Sequence, residues 1–488
     1  MTALANAPET TGTTNPADLT VSEASDLLAA GALSSVELVD ACLARIAERD
    51  GERSFLGDVG SVNAWVRTYD DDARAAARNS DVRRTVSRHR GGSTGPLDGI
   101  PLGLKDIYAV AGKPLTASSR VLDIVPEEDC AVWTRLQAAG MVLLGHTHTH
   151  EFALGGYTDQ VGNPWDLTRS PGGSSGGSAA ALAANMVPAA TGTDTGGSLR
   201  IPSSYCGTST IKPTRTLTSI DGVIPISIHL DHTGPMARTL VDCSMLLAAM
   251  AGPTPGRPET ALQRAPGFTR LAPRGGSLPL SGLRIAVSPR INDPIVTAEV
   301  AKAVAGTVDL AVALGATLVE VPTPAFDQEA FWDMMRADAA SYHEQHREKA
   351  SLYRPEVAKI LAPYWAEPLP AHRYVQTHET RRAITGTWER WFTESEIDLL
   401  IEPTTATTAV ERTVGTQTRT ATDEAVSLTA FWNWTGFPVS AFPAGLGVQS
   451  GLPVGVSLVG RPGDDLLALQ TGIDLQERLG IPTPKDLG

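Results

Sequence analysis

Polar and apolar positions first fall into register near the N-terminus. Thr20 with Glu23, and Ser34 with Glu37, each form the hydroxyl–x–x–carboxylate box that closes the free amides of a helix start. Gly31 separates the two predicted helices. Val36, Val39, Leu43 and Ile46 recur at helical spacing, so the second helix has one face to bury. Another helix is expected over residues 71–79. From Gly99 onward, short apolar runs alternate with amphipathic stretches. GIPLGLKDIYAV reads as a strand, EEDCAVWTRLQAAG as a helix stopped at Gly140, and MVLLGHTH as a buried strand. The unit returns as LRIAVSP, a helix from Thr297 to Leu314, a stop at Gly315 and the strand ATLVEV. DLLIEP and PVGVSLVG are further strands. Strands alternating with helices predict an α/β fold, a mixed or parallel sheet covered on both sides by helices. The Pro-, Gly- and Arg-rich segment 252–281 reads as a surface connection. It is either a domain boundary or a link within one large sheet, because the same grammar continues on both sides.

Composition narrows the partners more than the fold. A chain of 488 residues, 42% hydrophobic and 19% charged, can bury a large core. Its formal net charge of −14 opposes phosphate backbones and anionic membranes, so neither nucleic acid nor a membrane is an expected partner. The basic stretch Arg83 to Arg90 reads as a solvated loop. Cys42, Cys130, Cys206 and Cys243 lie far apart without metal-ligand spacing, which fits isolated thiols in a reducing, cytoplasmic setting. Residues 1–18 have neither the basic start nor the apolar core of a secretory signal and are expected to form a disordered tail.

Chemistry concentrates in SPGGSSGGSAAALAANMVPAATGTDTGGSLR, residues 170–200. Gly172 and Gly177 have the spacing of a phosphate loop, but Ser178 follows where that loop requires lysine. Ser174 is central in a G-x-S-x-G pattern, yet NPWDLTRSP before it does not read as the strand a nucleophile elbow needs. A linker would have solvated flanks, whereas SAAALAANM is a strong helix former, small on every face. The alternating His146, His148 and His150 suggest a metal site, against which stand the missing HExxH pattern and their place at a strand end, where polar residues meet solvent or a substrate pocket. Serine needs a base. The chain has seven lysines, and Lys105 sits inside the apolar run GIPLGLKD, where burial would lower its pKa and let it act as a neutral amine. In TDTGGS, successive amides can converge on one point and hold an oxyanion beside Ser198.

Lys105 in GIPLGLKD, Ser174 in PGGSSGGSAAALAA and Ser198 in GTDTGGSLRIPSSYCG resemble the three blocks of the amidase signature family. The resemblance continues through IKPT (211–214), HLDHTGPMARTLVD (229–242), GFPVSAFPAG (436–445) and LPVGVSLVGRPGDD (452–465), and spans residues 20–480. It implies one large α/β domain, with the tail 1–18, an N-terminal helical segment 19–90 packing on the core, and a catalytic core 91–480. It also implies a Ser-cisSer-Lys triad. Ser198 would be the nucleophile, Ser174, after a cis Gly173–Ser174 bond, the relay, and Lys105 the base. The amides of Thr195, Gly196, Gly197 and Ser198 would form the oxyanion hole, supported by Ser175, Asp194 and Arg200. No metal or organic cofactor is implied. The chain departs from the family at His146-Thr147-His148, where Lys-Thr-Asn is common, and at Thr210-Ile211.

The implied reaction is hydrolysis of an amide C–N bond through an acyl-enzyme. Aromatic residues of the variable segments (Phe331, Trp332, Tyr342, Trp365, Phe431, Trp432 and Trp434, with Phe152 upstream) suggest a bulky apolar or aryl amide, anilides and carbamates included. The alternatives are the glutaminase component of glutamyl-tRNA amidotransferase, a Ser-His-Asp esterase and a silent binding protein on the same fold. The expected partner is a small-molecule amide, with a homodimer left open.

Overall fold

The computed structural model describes residues 15–261, 263, 267–414 and 425–484. Both capping boxes close. The Glu23 amide donates to Thr20 Oγ1 and the Thr20 amide to Glu23 Oε2, and Ser34 and Glu37 repeat the exchange. They start α1 (Val21–Ala30) and α2 (Ser35–Arg49), and Gly31 ends α1 in the left-handed region, φ 75°. Of the expected tail, residues 1–14 lie outside the described residues, whereas Pro16–Asp18 form a 3-10 turn with Ala17 buried and Asp18 paired to Arg45 at 2.8 Å.

The helix expected over 71–79 extends further, as α3 (Asp70–His89). The basic stretch read as a loop is its last two turns. Arg83 and Arg84 both reach Asp98, so these charges serve a tertiary contact that sequence spacing does not display.

The described residues contain one mixed sheet of 11 strands. In chain order these are β1 (Trp65–Thr68), β2 (Pro101–Lys105), β3 (Val142–Thr147), β4 (Ala189–Asp194), β5 (Ser209–Lys212), β6 (His232–Ala237), β7 (Arg284–Val287), β8 (Thr317–Val319), β9 (Leu399–Pro403), β10 (Val439–Leu446) and β11 (Pro453–Val459). Their order in space is β1-β3-β2-β4-β6-β5-β10-β11-β9-β7-β8. The sheet therefore runs unbroken across segment 252–281, which is a connection and not a domain boundary. β2 runs parallel to β3 and β4, and β4 antiparallel to β6. The covering helices include α4 (Ala131–Ala138), α5 (Gly176–Ala183), α6 (Arg200–Cys206), α7 (Leu240–Met250) and α8 (Ala298–Ala313). A helical layer then follows: α9 (Glu329–His343), α10 (Pro355–Ala366) and α11 (Ala371–Glu394). After it come α12 (Ala430–Thr435) and α13 (Asp465–Leu479).

β2, β3, β4 and β6 are buried at every position, the mark of strands covered on both faces. α5 is equally buried all round, which is why SAAALAA can only be small: it packs between sheet and neighbouring helix with no polar face to spare. No helix among the described residues is long and apolar enough to cross a membrane.

Candidate active site

β2 ends on Lys105, and the parallel pairing of β2 with β4 sets that side chain beside Thr191 and Thr193. Lys105 is fully buried. Its Nζ donates to Ser174 Oγ at 2.8 Å and to Thr193 Oγ1 at 2.7 Å. Burial lowers its pKa from 10.5 to about 7, against the opposing pull of Asp194 and Asp231. Near neutral pH a share of this amine is thus unprotonated, in keeping with the burial that the apolar run around it predicts.

Ser174 follows a cis Gly173–Ser174 bond. Its carbonyl accepts from the His150 amide at 3.0 Å and from Thr158 Oγ1 at 2.9 Å. α5 begins two residues later, and the Gly177 amide donates to the His148 carbonyl at 3.1 Å. A Cβ on Gly177 would strike the His148 backbone, so glycine is required there for the two segments to touch. The histidine run is therefore the scaffold under Ser174. It does not meet solvent: His146, His148 and His150 are all buried, and only His146 lies in β3. His146 Nδ1 meets Tyr69 Oη at 2.7 Å and His148 Nδ1 meets Ser118 Oγ at 3.1 Å, while burial pushes the His148 pKa down to about 3. Among the described residues, no group of three His, Cys, Asp or Glu side chains is arranged to hold a metal ion.

The second loop leaves β4 at Asp194. Gly197 has φ 138°, and a Cβ there would collide with Thr429 and Ile201. Among the described residues, the amides of Thr195, Gly196, Gly197 and Ser198 donate no hydrogen bond, so four donors of one tight loop stand unused beside Ser198. The loop is pinned from below. Asp194 receives Arg200 through Nε and Nη2, both at 2.9 Å, and the Leu199 amide at 3.2 Å. Burial raises the Asp194 pKa, but the charge and hydrogen bonds of Arg200 outweigh it and hold the carboxyl at about 2. Asn433 on α12 completes the base, accepting from Arg200 at 2.7 Å and donating to the Asp194 carbonyl at 2.7 Å. Ser175 couples the loops: its amide donates to the Ser198 carbonyl at 3.4 Å, and its Oγ lies 3.3 Å from the Thr193 amide. Thr195 Oγ1 donates to Asp231, which also receives the Ile226 amide at 2.9 Å. Burial raises the Asp231 pKa to about 7.

Thr195, Gly196 and Ser198 open on a cleft of about 580 Å3, including the space open to solvent. Phe331, Trp332 and Met335 of α9, Ile360 of α10, Leu154, Ile226 and Val426 supply its apolar walls. Of the aromatic residues expected at the pocket, Phe331 and Trp332 are there and the others are not. Trp432 and Trp434 are fully buried in an aromatic cluster with Trp388 and Phe431, and the Trp432 indole donates to Glu402. Phe152 is buried against His343, with ring centroids 4.5 Å apart, and Tyr342 packs on the same group. It is the residue after Phe152, Ala153, that reaches the cleft. Trp365 lines a separate groove with Tyr364 and Leu369. Thr193 and Asp231 lie inside the GTDTGGS and HLDHTG blocks without being singled out there, and Asn433 and the cleft residues Ile226, Met335, Arg336 and Ile360 carry no motif of their own. Only Thr193, two residues past a threonine on the strand before TGGS, had a readable hint: alternation puts Thr191 and Thr193 on one face.

The sequence matches the profile of the Amidase family over residues 37–469. It is 36% identical to the A component of glutamyl-tRNA(Gln) amidotransferase from Anaeromyxobacter sp. (strain K), covering 95% of this chain and 97% of that protein. It is 37% identical to an amidase of Pseudomonas putida, covering 93% and 95%. The structure of the peptide amidase from Stenotrophomonas maltophilia superposes with a TM-score of 0.78 at 26% identity, over 96% of this chain and 98% of that one. With a profile match over most of its length and the large mixed sheet of these structures, the chain belongs to the amidase signature family and is a hydrolase of amide C–N bonds.

Proposed function

We propose that the cleft hydrolyses bulky apolar or aryl amides with Ser198 as nucleophile, Ser174 as proton relay and Lys105 as base. The observation that carries this reading is the buried Lys105 amine 2.8 Å from Ser174 Oγ, below a cleft that holds Ser198. Ser198 Oγ attacks the carbonyl carbon while its proton passes to Ser174, whose own proton goes to neutral Lys105. The amides of Thr195 to Ser198 receive the oxyanion, an interaction made in the transition state and so expressed in kcat. Collapse breaks the C–N bond, and the amine leaves with the proton returned through Ser174. Water then attacks the acyl-Ser198 ester by the same relay and releases the acid. Asp194, Arg200 and Ser175 hold the loops and touch no reacting atom.

The walls of the cleft supply the substrate argument. Phe331, Trp332, Met335, Ile360 and Val426 bury an apolar acyl or leaving group and offer few partners to a small polar one. A second reading, the glutaminase component of an amidotransferase, is favoured by the 36% identity to such proteins over nearly the whole chain. A hydrolysis screen over aryl amides, short aliphatic amides, peptide amides, carbamates and glutamine separates the two. Aryl amides are expected to lead. Glutamine as the leading substrate, with a second protein co-purifying, would establish the other reading. A fluorophosphonate is expected to label Ser198, and a label on Ser174 alone refutes the assigned roles.

A further inference from the structure

We propose that Arg336 makes this cleft selective for amides that carry a carboxylate on the apolar body of the molecule. This rests on the reading of the cleft as the substrate site. Among the described residues Arg336 is the only charged side chain in the lining, where the others are apolar or small. It stands one turn after Trp332 on α9, with its guanidinium carbon 5.1 Å from the centroid of that ring. A cation over the ring face in this way keeps its N–H groups available as donors, because the ring offers them no lone pair. Among the described residues Arg336 has no ion pair and donates no side-chain hydrogen bond.

The acidic groups nearest along α9 are engaged elsewhere. Asp333 pairs with Arg373 at 2.8 Å, and Asp338 accepts from Ser227, Tyr374 and His229. The chain as a whole carries a net charge of −14, yet among the described residues the one charged side chain in this lining is a cation. A planar fork of donors beside an aromatic ring matches a carboxylate attached to an aryl or alkyl body, held by two parallel hydrogen bonds. Among the described residues no hydrogen bond joins Arg336 to Ser198 or the loop amides, and the role proposed for it is in binding and orientation.

The test compares pairs of aryl amides that differ only in a carboxylate or a methyl group at the end of linkers of increasing length. kcat and KM are measured for the wild type, Arg336→Gln and Arg336→Lys. At least one carboxylated member is expected to exceed its neutral partner in kcat/KM by about tenfold or more, mainly through KM. Arg336→Gln is expected to erase that preference, lowering kcat/KM of the carboxylated member by about tenfold more than that of its neutral partner. Arg336→Lys retains part of it, because charge survives without the fork. If neutral amides turn over and no pair shows an Arg336-dependent preference, the inference is overturned and the reading of the site stands. If no amide turns over and Ser198 resists the fluorophosphonate, both fall together.

Discussion

Thr193→Val removes one oxygen from the site and little volume, and the structure sets the size of the effect. Lys105 Nζ is fully buried with two partners, Ser174 Oγ at 2.8 Å and Thr193 Oγ1 at 2.7 Å. As a neutral base it must turn its lone pair to Ser174, and an N–H given to Thr193 fixes that orientation. Leaving a buried donor unpaired costs about 1–3 kcal/mol, which is about 5- to 150-fold in rate if the loss falls on the transition state. The substitution also acts on the pKa. Thr193 stabilises the ammonium more than the amine, because hydrogen bonds to charged groups are the stronger ones. Its loss therefore depresses the Lys105 pKa further below about 7. Wild-type kcat/KM for an aryl amide is expected to rise with pH through about 7 as Lys105 loses its proton. In Thr193→Val the plateau falls while the acid limb shifts to lower pH, and Thr193→Ser restores both. A plateau within about twofold of wild type, with an unmoved limb in a protein of unchanged near-UV circular dichroism, would refute the placement of Thr193 as the residue that aims the base.

The remaining predictions concern the supports. Arg200→Met leaves Asp194 buried without its cation and should cost about 3–5 kcal/mol of stability in urea unfolding at pH 7. Because the wild-type carboxyl titrates at about 2, below its ordinary range, its ion pair stabilises above the unfolded-state pKa and fades as pH falls through about 2. The gap between variant and wild type should therefore narrow toward acid, and a gap independent of pH contradicts the pairing. Trp432→Ala should cost about 3–5 kcal/mol and leave the KM of the folded fraction unchanged, whereas Trp332→Ala should raise the KM of aryl amides with a smaller loss of stability. The reverse pattern would show that the two tryptophans have exchanged roles.

The parts of the site that could be read in advance are those whose chemistry is local. Ser174 and Ser198 announce themselves through the glycines around them, because close backbone approach and a positive φ both require residues without a Cβ, as at Gly177 against His148 and at Gly197. Lys105 could be read because a lysine inside an apolar strand is itself a conflict, and burial with a lowered pKa is its physical resolution. Aromatic side chains carry no such signal. Trp332 lines the cleft and Trp432 lies in the core, yet the two have the same residue type in comparably apolar segments. Phe152 shows how small the margin is: it turns into the core while its neighbour Ala153 lines the cleft.

The triad of Lys105, Ser174 and Ser198 is proposed from a resemblance that spans the chain; by itself the sequence determined the α/β alternation, both helix caps and the two glycine-serine loops. Each of these depends on interactions within a few residues: a hydroxyl and a carboxylate three positions apart, a glycine where φ is positive, alternation along one strand. Only the tertiary structure decided that Arg83 and Arg84 extend a helix toward Asp98, that the histidine run carries the Ser174 loop, and that Thr193 shares Lys105 with it. It also decided which aromatic residues face the cleft. Those contacts join segments tens to hundreds of residues apart, and hydrophobicity, which drives their burial, has no direction that a sequence could record.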